Sequence, residues 1–307
     1  MGYLYLLAGE DLELAEAELN GFLRSQNVDE KAERDGRLAF TETEPEQLKR
    51  LALVHEVSEV LERSKKPDSS YRPEASFAVR VEDLTGKRDT KELEKQFGDI
   101  LSNNTNSVDL DSPEELLKVY VTKEEYILSQ QVEDIDRGLF EKRKNQRRPF
   151  SSPISLDPVL ARIMVNLSEV PPGGKILDPF CGTGGILIEA GLCGISVHGA
   201  DIQQEMVEGA RENLEEYGII SHDIRKSGIS SVDKVFEQKF DAVVTDLPYG
   251  KSSKTEGNPL EDFLTASNSL SEHKTVFMSD RDELNGFEPD FEIYVHKSMN
   301  RYIYVLD

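Results

Sequence analysis

Aspartates that close predicted strands in the C-terminal half of the chain have the spacing to do chemistry. Asp178 ends one apolar run and is followed by the turn Gly182-Thr183-Gly184-Gly185. Glycines allow positive φ and close backbone approach, and the helix that begins there offers free N–H groups. The pattern is neither G-x-G-x-x-G nor a P-loop, because no lysine follows the glycines. A carboxylate ahead of them would repel a pyrophosphate, so the turn favours a cationic or amine-bearing ligand.

Two further aspartates end the next two predicted strands. Asp201 is placed so that its carboxylate can accept both ribose hydroxyls of an adenosine. It could also cap the helix that begins near Ile202, and the two roles can coexist. Asp223 is placed to accept a hydrogen bond from an adenine amine, or else it is a turn residue in His222-Asp223-Ile224.

The fourth predicted strand ends in Thr245-Asp246-Leu247-Pro248-Tyr249-Gly250. Together with the turn after Asp178, this segment resembles the class I S-adenosylmethionine-dependent methyltransferases, and among them those that methylate amines. These enzymes carry Asp or Asn, a proline and an aromatic residue here, usually as D-P-P-Y, so Leu247 is a departure. The resemblance implies S-adenosylmethionine as the cofactor, bound by Asp178, Phe180, Cys181, Gly182, Thr183, Gly184, Gly185, Asp201, Ile202, Asp223 and Ile224.

The chemistry of a base amine explains the residue types expected to be catalytic, Asp246, Pro248 and Tyr249. An exocyclic amine is a poor nucleophile because its lone pair is delocalised into the ring. Asp246 can accept one N–H of that amine and a backbone carbonyl the other, which directs the lone pair at the methyl group. Pro248 stiffens the turn, and Tyr249 can stack on a base that has left its own stack.

The sequence ahead of this sheet adds a second match. Arg148-Pro149-Phe150, the stretch 155–162 and Val165-Asn166-Leu167 resemble the archaeal tRNA guanosine N2-methyltransferases. Those enzymes act on the guanosine at tRNA position ten, once or twice, and carry an N-terminal THUMP domain that binds RNA beside a ferredoxin-like unit. The resemblance implies tRNA as the partner. It is detailed over 147–250 and only architectural over 1–140.

One dense basic cluster stands out in an otherwise acidic chain. Five of the eight residues at 141–148 are basic. We interpret them as phosphate contacts for RNA, although a solvated linker would also carry such charges. The RNA-binding residues predicted on this ground are Lys142, Arg143, Lys144, Arg147 and Arg148.

The elements that must position these residues alternate as strand and helix after residue 150. Strands are predicted at 175–177, 196–200, 219–224, 240–245 and 275–278, with helices at 156–167, 184–193 and 203–217. Strands separated by helices indicate a parallel, Rossmann-like sheet. Residues 291–296 and 302–306 are predicted to add an antiparallel hairpin through a turn at 298–300. The fold class is therefore α/β, with a class I methyltransferase sheet whose last strand is antiparallel.

Short strands and helices also alternate over the first 140 residues, which suggests an α+β region of the ferredoxin-like/THUMP kind. Strands are expected at 2–7, 37–40, 76–81 and 117–122, and helices at 11–25, 90–97 and from Thr43 to Val54. The stretch 65–73 looks like a linker. The expected domains are a ferredoxin-like unit (1–65), a THUMP domain (66–140), a basic linker (141–150) and a methyltransferase domain (151–307).

Composition limits the remaining choices. The net charge is −23, spread as −10 over residues 1–150 and −13 over 151–307. Such acidity opposes nucleic-acid binding unless strong salt screens it, as in a salty cytoplasm. Two cysteines exclude a disulfide scaffold and are too few for a zinc site of their own, and no apolar run suits a membrane span. We expect a cytoplasmic, monomeric protein with neither a metal nor a membrane partner.

Three alternatives stay open at this point. The same chemistry could serve a THUMP-type rRNA guanine N2-methyltransferase or a DNA adenine N6-methyltransferase, although an adenine enzyme more often carries Asn at the position of Asp246. The chain could also be a catalytically silent RNA-binding protein that keeps the fold.

Cys181 could be read as a nucleophile, but it more naturally packs as a small hydrophobe.

Overall fold

Residues 2–153, 155–248, 259–284, 286–296 and 299–307 are described by the computed structural model. The chain divides into two units. The N-terminal unit comprises Met1–Glu16, Glu30–Lys49 and Val54–Asp136. The C-terminal unit comprises Ala17–Asp29, Arg50–Leu53 and Arg137–Asp307, so it takes in two short stretches from the beginning of the chain.

One seven-stranded sheet forms the framework of the N-terminal unit. Its strands are β1 (Tyr3–Leu7), β2 (Glu33–Asp35), β3 (Leu38–Thr41), β4 (Val54–Ser64), β5 (Phe77–Asp83), β6 (Glu115–Val121) and β7 (Tyr126–Asp134). Their order across the sheet is β2-β3-β1-β4-β7-β6-β5, and only β5 and β6 pair in parallel. The unit is therefore α+β, as the sequence predicts.

Two helices accompany this sheet in the chain, α1 (Leu12–Ser25) and α2 (Thr90–Leu101). Asp89 caps α2 by accepting the backbone N–H groups of residues 91 and 92. The buried side chains Leu93, Phe97 and Leu101 recur every four residues and contact Phe77 and other strand residues. An amphipathic helix of this kind is held by the core that it covers.

The helix predicted from Thr43 to Val54 is wrong. Only a single 3₁₀ turn, Leu48–Arg50, forms there, and Gln47 adopts a positive φ that a helix does not allow. Val54 instead begins β4, the 11-residue strand that pairs with β1 on one side and β7 on the other. The spacing of Leu48, Leu51 and Val54 suits a helix locally, but tertiary contacts override this preference and the two neighbouring strands recruit Val54 into the sheet.

The stretch 65–73 connects β4 to β5, and both strands belong to the same sheet. Residues from 1–65 and from 66–140 therefore share one hydrogen-bonded framework, with β4 paired to β7. The names ferredoxin-like unit and THUMP domain for these two ranges stay predictions.

The C-terminal unit contains a second seven-stranded sheet. Its strands are β8 (Lys175–Asp178), β9 (Ser196–Asp201), β10 (His222–Lys226), β11 (Phe240–Asp246), β12 (Ser271–Ser279), β13 (Phe291–His296) and β14 (Met299–Leu306). The order is β10-β9-β8-β11-β12-β14-β13, with β8 to β12 parallel and β14 antiparallel to both of its neighbours. This is the predicted Rossmann-like arrangement with an antiparallel last strand.

Among the described residues, two helices precede β8 and four more connect successive parallel strands of this sheet. They are α3 (Gly138–Glu141), α4 (Pro158–Leu167), α5 (Gly185–Gly191), α6 (Gln204–Glu216), α7 (Val232–Phe236) and α8 (Pro259–Leu270). Asp157 caps α4 by accepting the backbone N–H of Val159, and Pro158 occupies the first helical turn, where its missing N–H costs nothing. Neither α7 nor α8 was predicted.

Two boundaries of the second sheet differ from the sequence-based expectation. The third strand runs over His222–Lys226, and not over 219–224, so its carboxyl end is Lys226. The final hairpin is confirmed, but β14 begins at Met299, three residues earlier than expected. Within the predicted turn at 298–300, residue 298 lies outside the described residues.

Buried polar side chains join the early stretches of the C-terminal unit to α4. The Glu18 carboxylate accepts the backbone N–H groups of Ala52 (2.8 Å) and Leu53 (2.7 Å) and the Asn166 side-chain amide (2.8 Å). Arg50 donates to the same Asn166 side chain at 2.7 Å. Glu18 and Asn166 are fully buried, and each group in such a network needs its partners because solvent cannot replace them.

Candidate active site

The carboxyl end of β8 leads into the glycine-rich turn. Asp178 is buried, and its Oδ1 accepts the Thr245 hydroxyl at 2.6 Å and the backbone N–H of Phe180 at 3.1 Å. Gly182 and Gly184 both have positive φ, +49° and +81°. Side chains rarely adopt this conformation, so the turn requires its glycines. The residues that the sequence analysis grouped around Asp178 therefore form one continuous structure at this edge of the sheet.

Asp201, at the end of β9, is hydrogen-bonded to the same turn. Its Oδ2 accepts the backbone N–H of Gly182 at 3.2 Å, and its Oδ1 accepts that of Gln203 at 2.8 Å, next to the start of α6. The capping role considered for Asp201 is wrong, because α6 begins at Gln204 with Gln203 as its N-cap residue and without a side-chain cap hydrogen bond. Each carboxylate oxygen has a second lone pair, so the hydroxyls of a ribose can still bind.

Ile202 and Cys181 flank this turn in opposite environments. Ile202 is 60% exposed, which is unusual for an aliphatic residue that follows a buried strand. An exposed apolar side chain beside a carboxylate could contact the flat face of a ring of a ligand. Cys181 is buried, and burial raises the pKa of its thiol well above the ordinary value. A neutral, enclosed thiol packs as a small hydrophobe and is a poor nucleophile.

Asp223 lies in a different position from the one the sequence analysis assumed. It pairs with His198 in the parallel register, three residues before the end of β10. Its carboxylate binds the guanidinium of Arg225 through both oxygens, which lowers its pKa. Ile224 is buried and its carbonyl accepts Arg211. The residues at the actual end of this strand are Lys226 and Ser227, and the Ser227 N–H donates to the Asp201 carbonyl at 3.0 Å.

Asp246 ends β11 and forms an ion pair with Arg301 of β14. The Asp246 side chain remains 20% exposed, whereas that of Arg301 is 8% exposed. Leu247 is buried and donates its N–H to the Met278 carbonyl, and Pro248 is exposed. Tyr249, the predicted stacking residue, lies outside the described residues, as do residues 250–258.

Carboxylates therefore gather at one edge of the sheet, and their charges affect one another. Burial raises the pKa of Asp178 to about 7, and the charges of Asp246 and Asp201 add to the rise. Burial likewise raises the pKa of Asp246 to about 7, and the Arg301 guanidinium opposes this rise. A cluster of buried carboxylates favours a positively charged ligand, which would restore their ordinary ionisation.

The basic segment at 141–148 divides into outward and inward side chains. Lys142 and Arg147 are exposed, and Lys144 forms a surface ion pair with Glu141 at 2.6 Å. Arg143 instead points inward and binds the buried Glu189 at 2.6 Å and 3.0 Å. Such an inward, fully paired arginine has a structural role in this conformation.

Arg148, the last residue of the predicted RNA-binding set, lies beside the glycine-rich turn. It is 5% exposed, and its guanidinium is 3.3 Å from the Ser155 hydroxyl and 3.5 Å from that of Thr183. Burial separates it from a phosphate on the surface. The outward residues Lys142, Lys144 and Arg147 are consequently the better candidates for RNA contact.

Asn213 is a support of the turn that sequence reasoning missed. Its side chain donates to the carbonyls of Phe150 and Thr183, both at 2.9 Å, and accepts the N–H of Phe150 at 2.9 Å. A Cβ added to Gly209 would lie 2.1 Å from the Phe150 ring, so this glycine lets the segment pack against α6. The signal in the sequence is an Asn and a Gly four residues apart on one helix face.

Two further observations concern metals and membranes. Among the described residues, Asp241, Glu272 and His273 have potential ligand atoms within 4.8 Å of one another, but they lie at the amino ends of β11 and β12. That edge is opposite the cluster of Asp178 and Asp246. In the described part of the chain, no helix has both the length and the apolar character that a membrane span requires.

Comparison with known proteins identifies the class first. The fold is that of a methyltransferase, and a family model described as an RMKL-like methyltransferase domain matches residues 145–275. TrmN from Thermus thermophilus has a similar fold, with a TM-score of 0.55 over 99% of both chains at 21% identity.

Curated relatives then identify the family. The tRNA (guanine(10)-N2)-dimethyltransferase of Methanothermobacter thermautotrophicus is 37% identical over 100% of this chain and 99% of its own length. The protein of the same name from Pyrococcus abyssi is 35% identical over 96% of both chains. The chain belongs to the tRNA (guanine(10)-N2)-dimethyltransferase family, which confirms the resemblance inferred from the sequence.

Proposed function

We propose that the protein transfers methyl groups from S-adenosylmethionine to the exocyclic N2 of the guanosine at position ten of tRNA. The observation that carries the proposal is the cluster of Asp178, Asp201 and Asp246 at the carboxyl edge of adjacent strands. Open α/β sheets bind their ligands at this edge. Full-length similarity to the relatives named above supports the choice of tRNA and of this nucleotide.

The described residues suit the cofactor. Asp201 and Ile202 would hold the adenosine, through the ribose hydroxyls and one face of the base. The glycine-rich turn would contact the methionine part of S-adenosylmethionine. The positive ammonium and sulfonium groups of that part complement the negative charge around Asp178. When bound, the cofactor supplies an electrophilic methyl group on sulfur. The adenine-amine contact proposed for Asp223 has less support, because Arg225 already engages that carboxylate.

Asp246 would act on the base. Its carboxylate accepts one N–H of the guanine amine, and the backbone carbonyl of Leu247 or Pro248 accepts the other, so that the nitrogen lone pair points at the methyl carbon. Methyl transfer would form the N–C bond while the C–S bond of the cofactor breaks with its electron pair left on sulfur, and the base nitrogen would release one proton to solvent. Tyr249 would stack on the base, which must leave its own stack to enter the site.

RNA would be held outside this site. We propose that the N-terminal unit serves as the ferredoxin-like/THUMP region that binds tRNA, and that the outward residues Lys142, Lys144 and Arg147 contact phosphates. The protein is acidic overall, so these contacts work best where salt screens the remaining charge. Action on tRNA and the lack of a membrane-spanning helix in the described residues support a cytoplasmic location.

A methylation assay tests the proposal. Unmodified tRNA transcript and labelled S-adenosylmethionine would be incubated with the protein at low and at molar potassium chloride, and the nucleosides analysed by mass spectrometry. We expect N2-methylguanosine or N2,N2-dimethylguanosine at position ten. Asp246→Ala should abolish it while tRNA affinity is kept, and Asp233→Ala, at an exposed aspartate of α7, should leave it unchanged.

Failure of the assay would also be informative. If the cofactor binds but no methyl group reaches tRNA at either salt concentration, the tRNA assignment is wrong, and rRNA and DNA become the substrates to test. If Asp246→Ala methylates as fast as the unaltered protein, the role given to this carboxylate is wrong.

A further inference from the structure

An arginine from the last strand of the chain reaches into the proposed site. Arg301 lies on β14, 55 positions after Asp246, and its guanidinium forms an ion pair with the Asp246 carboxylate. The arginine is 7% exposed, so the pair forms largely out of solvent. No motif in the sequence draws attention to this residue.

The register of the sheet explains how the two side chains meet. Asp246 lies opposite Met278 of β12, and Met278 lies opposite Ile303 of β14. Side chains alternate between the faces of a strand, so Arg301, two residues before Ile303, shares the face of Asp246. The backbones of β11 and β14 are separated by roughly 10 Å, because β12 lies between them. An arginine is long enough to cross this gap.

The charges that face Asp246 from the neighbouring elements work in opposite directions. Arg301 on β14 stabilises the carboxylate, whereas Asp280, which follows β12, and Asp178 on β8 add negative charge nearby. Burial also favours the neutral acid. The arginine is therefore the group that offsets several effects that would otherwise protonate Asp246.

Protonation would reverse the role of Asp246. A carboxylate accepts hydrogen bonds only, whereas a carboxylic acid carries a donor hydroxyl. The exocyclic amine of guanine donates hydrogen bonds. The charged form of Asp246 accepts them at both oxygens, whereas the protonated form carries a donor hydroxyl on one of them. The guanidinium also fixes the orientation of the carboxylate, because charge-assisted hydrogen bonds are short and directional.

We propose that Arg301 is a positioning residue for methyl transfer, which holds the Asp246 carboxylate in its charged, hydrogen-bond-accepting form. This inference rests on the proposed function, since it assigns the base amine to Asp246. Arg301 acts through Asp246 and has no contact with the reacting atoms in this assignment.

The test compares pH profiles. The values of kcat and of kcat/KM for methylation of unmodified tRNA would be measured between about pH 6 and 9 for the unaltered protein, Arg301→Gln, Arg301→Lys and Arg281→Gln. Arg281 is an exposed arginine in the segment after β12 and serves as the matched control. Thermal unfolding of each variant shows whether it is folded.

The acid limb is the part of the pH profile over which the rate falls as the pH is lowered. In Arg301→Gln this limb should move up by about one pH unit, so that kcat falls about tenfold on the limb and recovers at high pH. Arg301→Lys keeps the charge, so its limb should stay near that of the unaltered protein even if orientation lowers kcat. Arg281→Gln should change neither. If Arg301→Gln lowers the rate equally at every pH, or not at all, Arg301 does not control the charge of Asp246 and the inference is wrong.

Two further outcomes distinguish an error in the role of Arg301 from a variant that does not fold and from an error in the proposed function. If Arg301→Gln does not fold, Arg301→Met replaces it, because methionine keeps an unbranched side chain without the charge, and the acid limb of its pH profile should also move up by about one pH unit. If the acid limb of the folded variant stays where it is in the unaltered protein, the inference is wrong. If the unaltered protein methylates no tRNA at all, the proposed function itself has failed.

Discussion

The Thr245 hydroxyl donates a hydrogen bond to the Asp178 carboxylate across the interior of the second sheet, at 2.6 Å. Thr245 is adjacent to Asp246, the proposed catalytic residue. The bond therefore joins β11 to β8, the strand that leads into the glycine-rich turn. Both side chains are buried, which makes the bond difficult to replace with solvent. The bond therefore adds a side-chain link to the backbone ladder that already pairs β8 with β11.

Replacing Thr245 with valine should weaken cofactor binding. The substitution keeps the shape but removes a donor to a buried carboxylate, which typically costs about 1.5–3 kcal/mol. We expect the Kd for S-adenosylhomocysteine at neutral pH to rise about tenfold or more by calorimetry. Thr275→Val, at a buried threonine of β12, is the control. Equal Kd values for the two variants would show that the Thr245 hydroxyl does not support the cofactor site.

Replacing Asp178 with asparagine should stabilise the protein at alkaline pH while removing cofactor binding. The pKa of Asp178 is raised from 3.8 to about 7 by burial, so the folded state holds its proton more tightly than the unfolded chain does. Stability is consequently lost as pH rises from about 4 to about 7, and the loss is complete above that.

The asparagine variant lacks this loss, so its free energy of unfolding at pH 8 should exceed that of the unaltered protein by ~1–2 kcal/mol. Urea titrations at pH 5 and pH 8 would measure the difference, which should shrink at the lower pH. If the variant is less stable than the unaltered protein at pH 8, the ionised Asp178 carboxylate does not destabilise the folded state.

Binding of S-adenosylmethionine should strengthen as pH rises to about 7 and then level off. The cationic ligand favours the ionised forms of Asp178 and Asp246, whose pKa values are both raised to about 7 by burial. Binding below this pH must therefore release protons. Calorimetry in buffers of different ionisation enthalpy would count them. Binding that releases no proton at pH 6 would show that these carboxylates are already ionised.

Arg147→Gln should weaken tRNA binding and reduce its salt dependence. Arg147 is exposed within the basic segment, and loss of one phosphate contact lowers the slope of log K against log salt by about 1. Filter binding over a range of potassium chloride concentrations would measure the slope. Lys239→Gln, at an exposed lysine beside the amino end of β11, should leave it unchanged. If both variants behave alike, the segment does not contact phosphates.

Sequence motifs predicted the centre of the second sheet because β8 and β11 are largely buried apolar runs that end in aspartates. Asp178, Asp201 and Asp246 therefore lie together as their positions at strand ends required. The position of Asp223 was misjudged, because the strand extends to Lys226 with polar residues on an edge strand that apolar patterning does not mark. The family resemblance supplied the activity, which spacing alone did not.

Contacts distant in sequence account for most of what could not be predicted. Arg301 looks like an ordinary charged residue on an edge hairpin until the strand order brings it next to Asp246. Arg148 and Arg143 read as surface cations in a basic run, and their partners, Thr183 and Glu189, lie more than thirty positions away. The helix predicted from Thr43 to Val54 rested on the spacing of Leu48, Leu51 and Val54, but only a 3₁₀ turn forms there and Val54 begins β4.

The buried carboxylate of Glu18 has a consequence for the order in which the chain is made. Its partners Ala52 and Leu53 follow within 35 residues, but Asn166 is 148 residues further along. In a growing polypeptide, this network therefore stays incomplete until α4 has been synthesised, although the first two partners are available much earlier. A fragment that starts at residue 151 would lack Glu18, Arg50 and their neighbours, and with them part of the interior of the C-terminal unit.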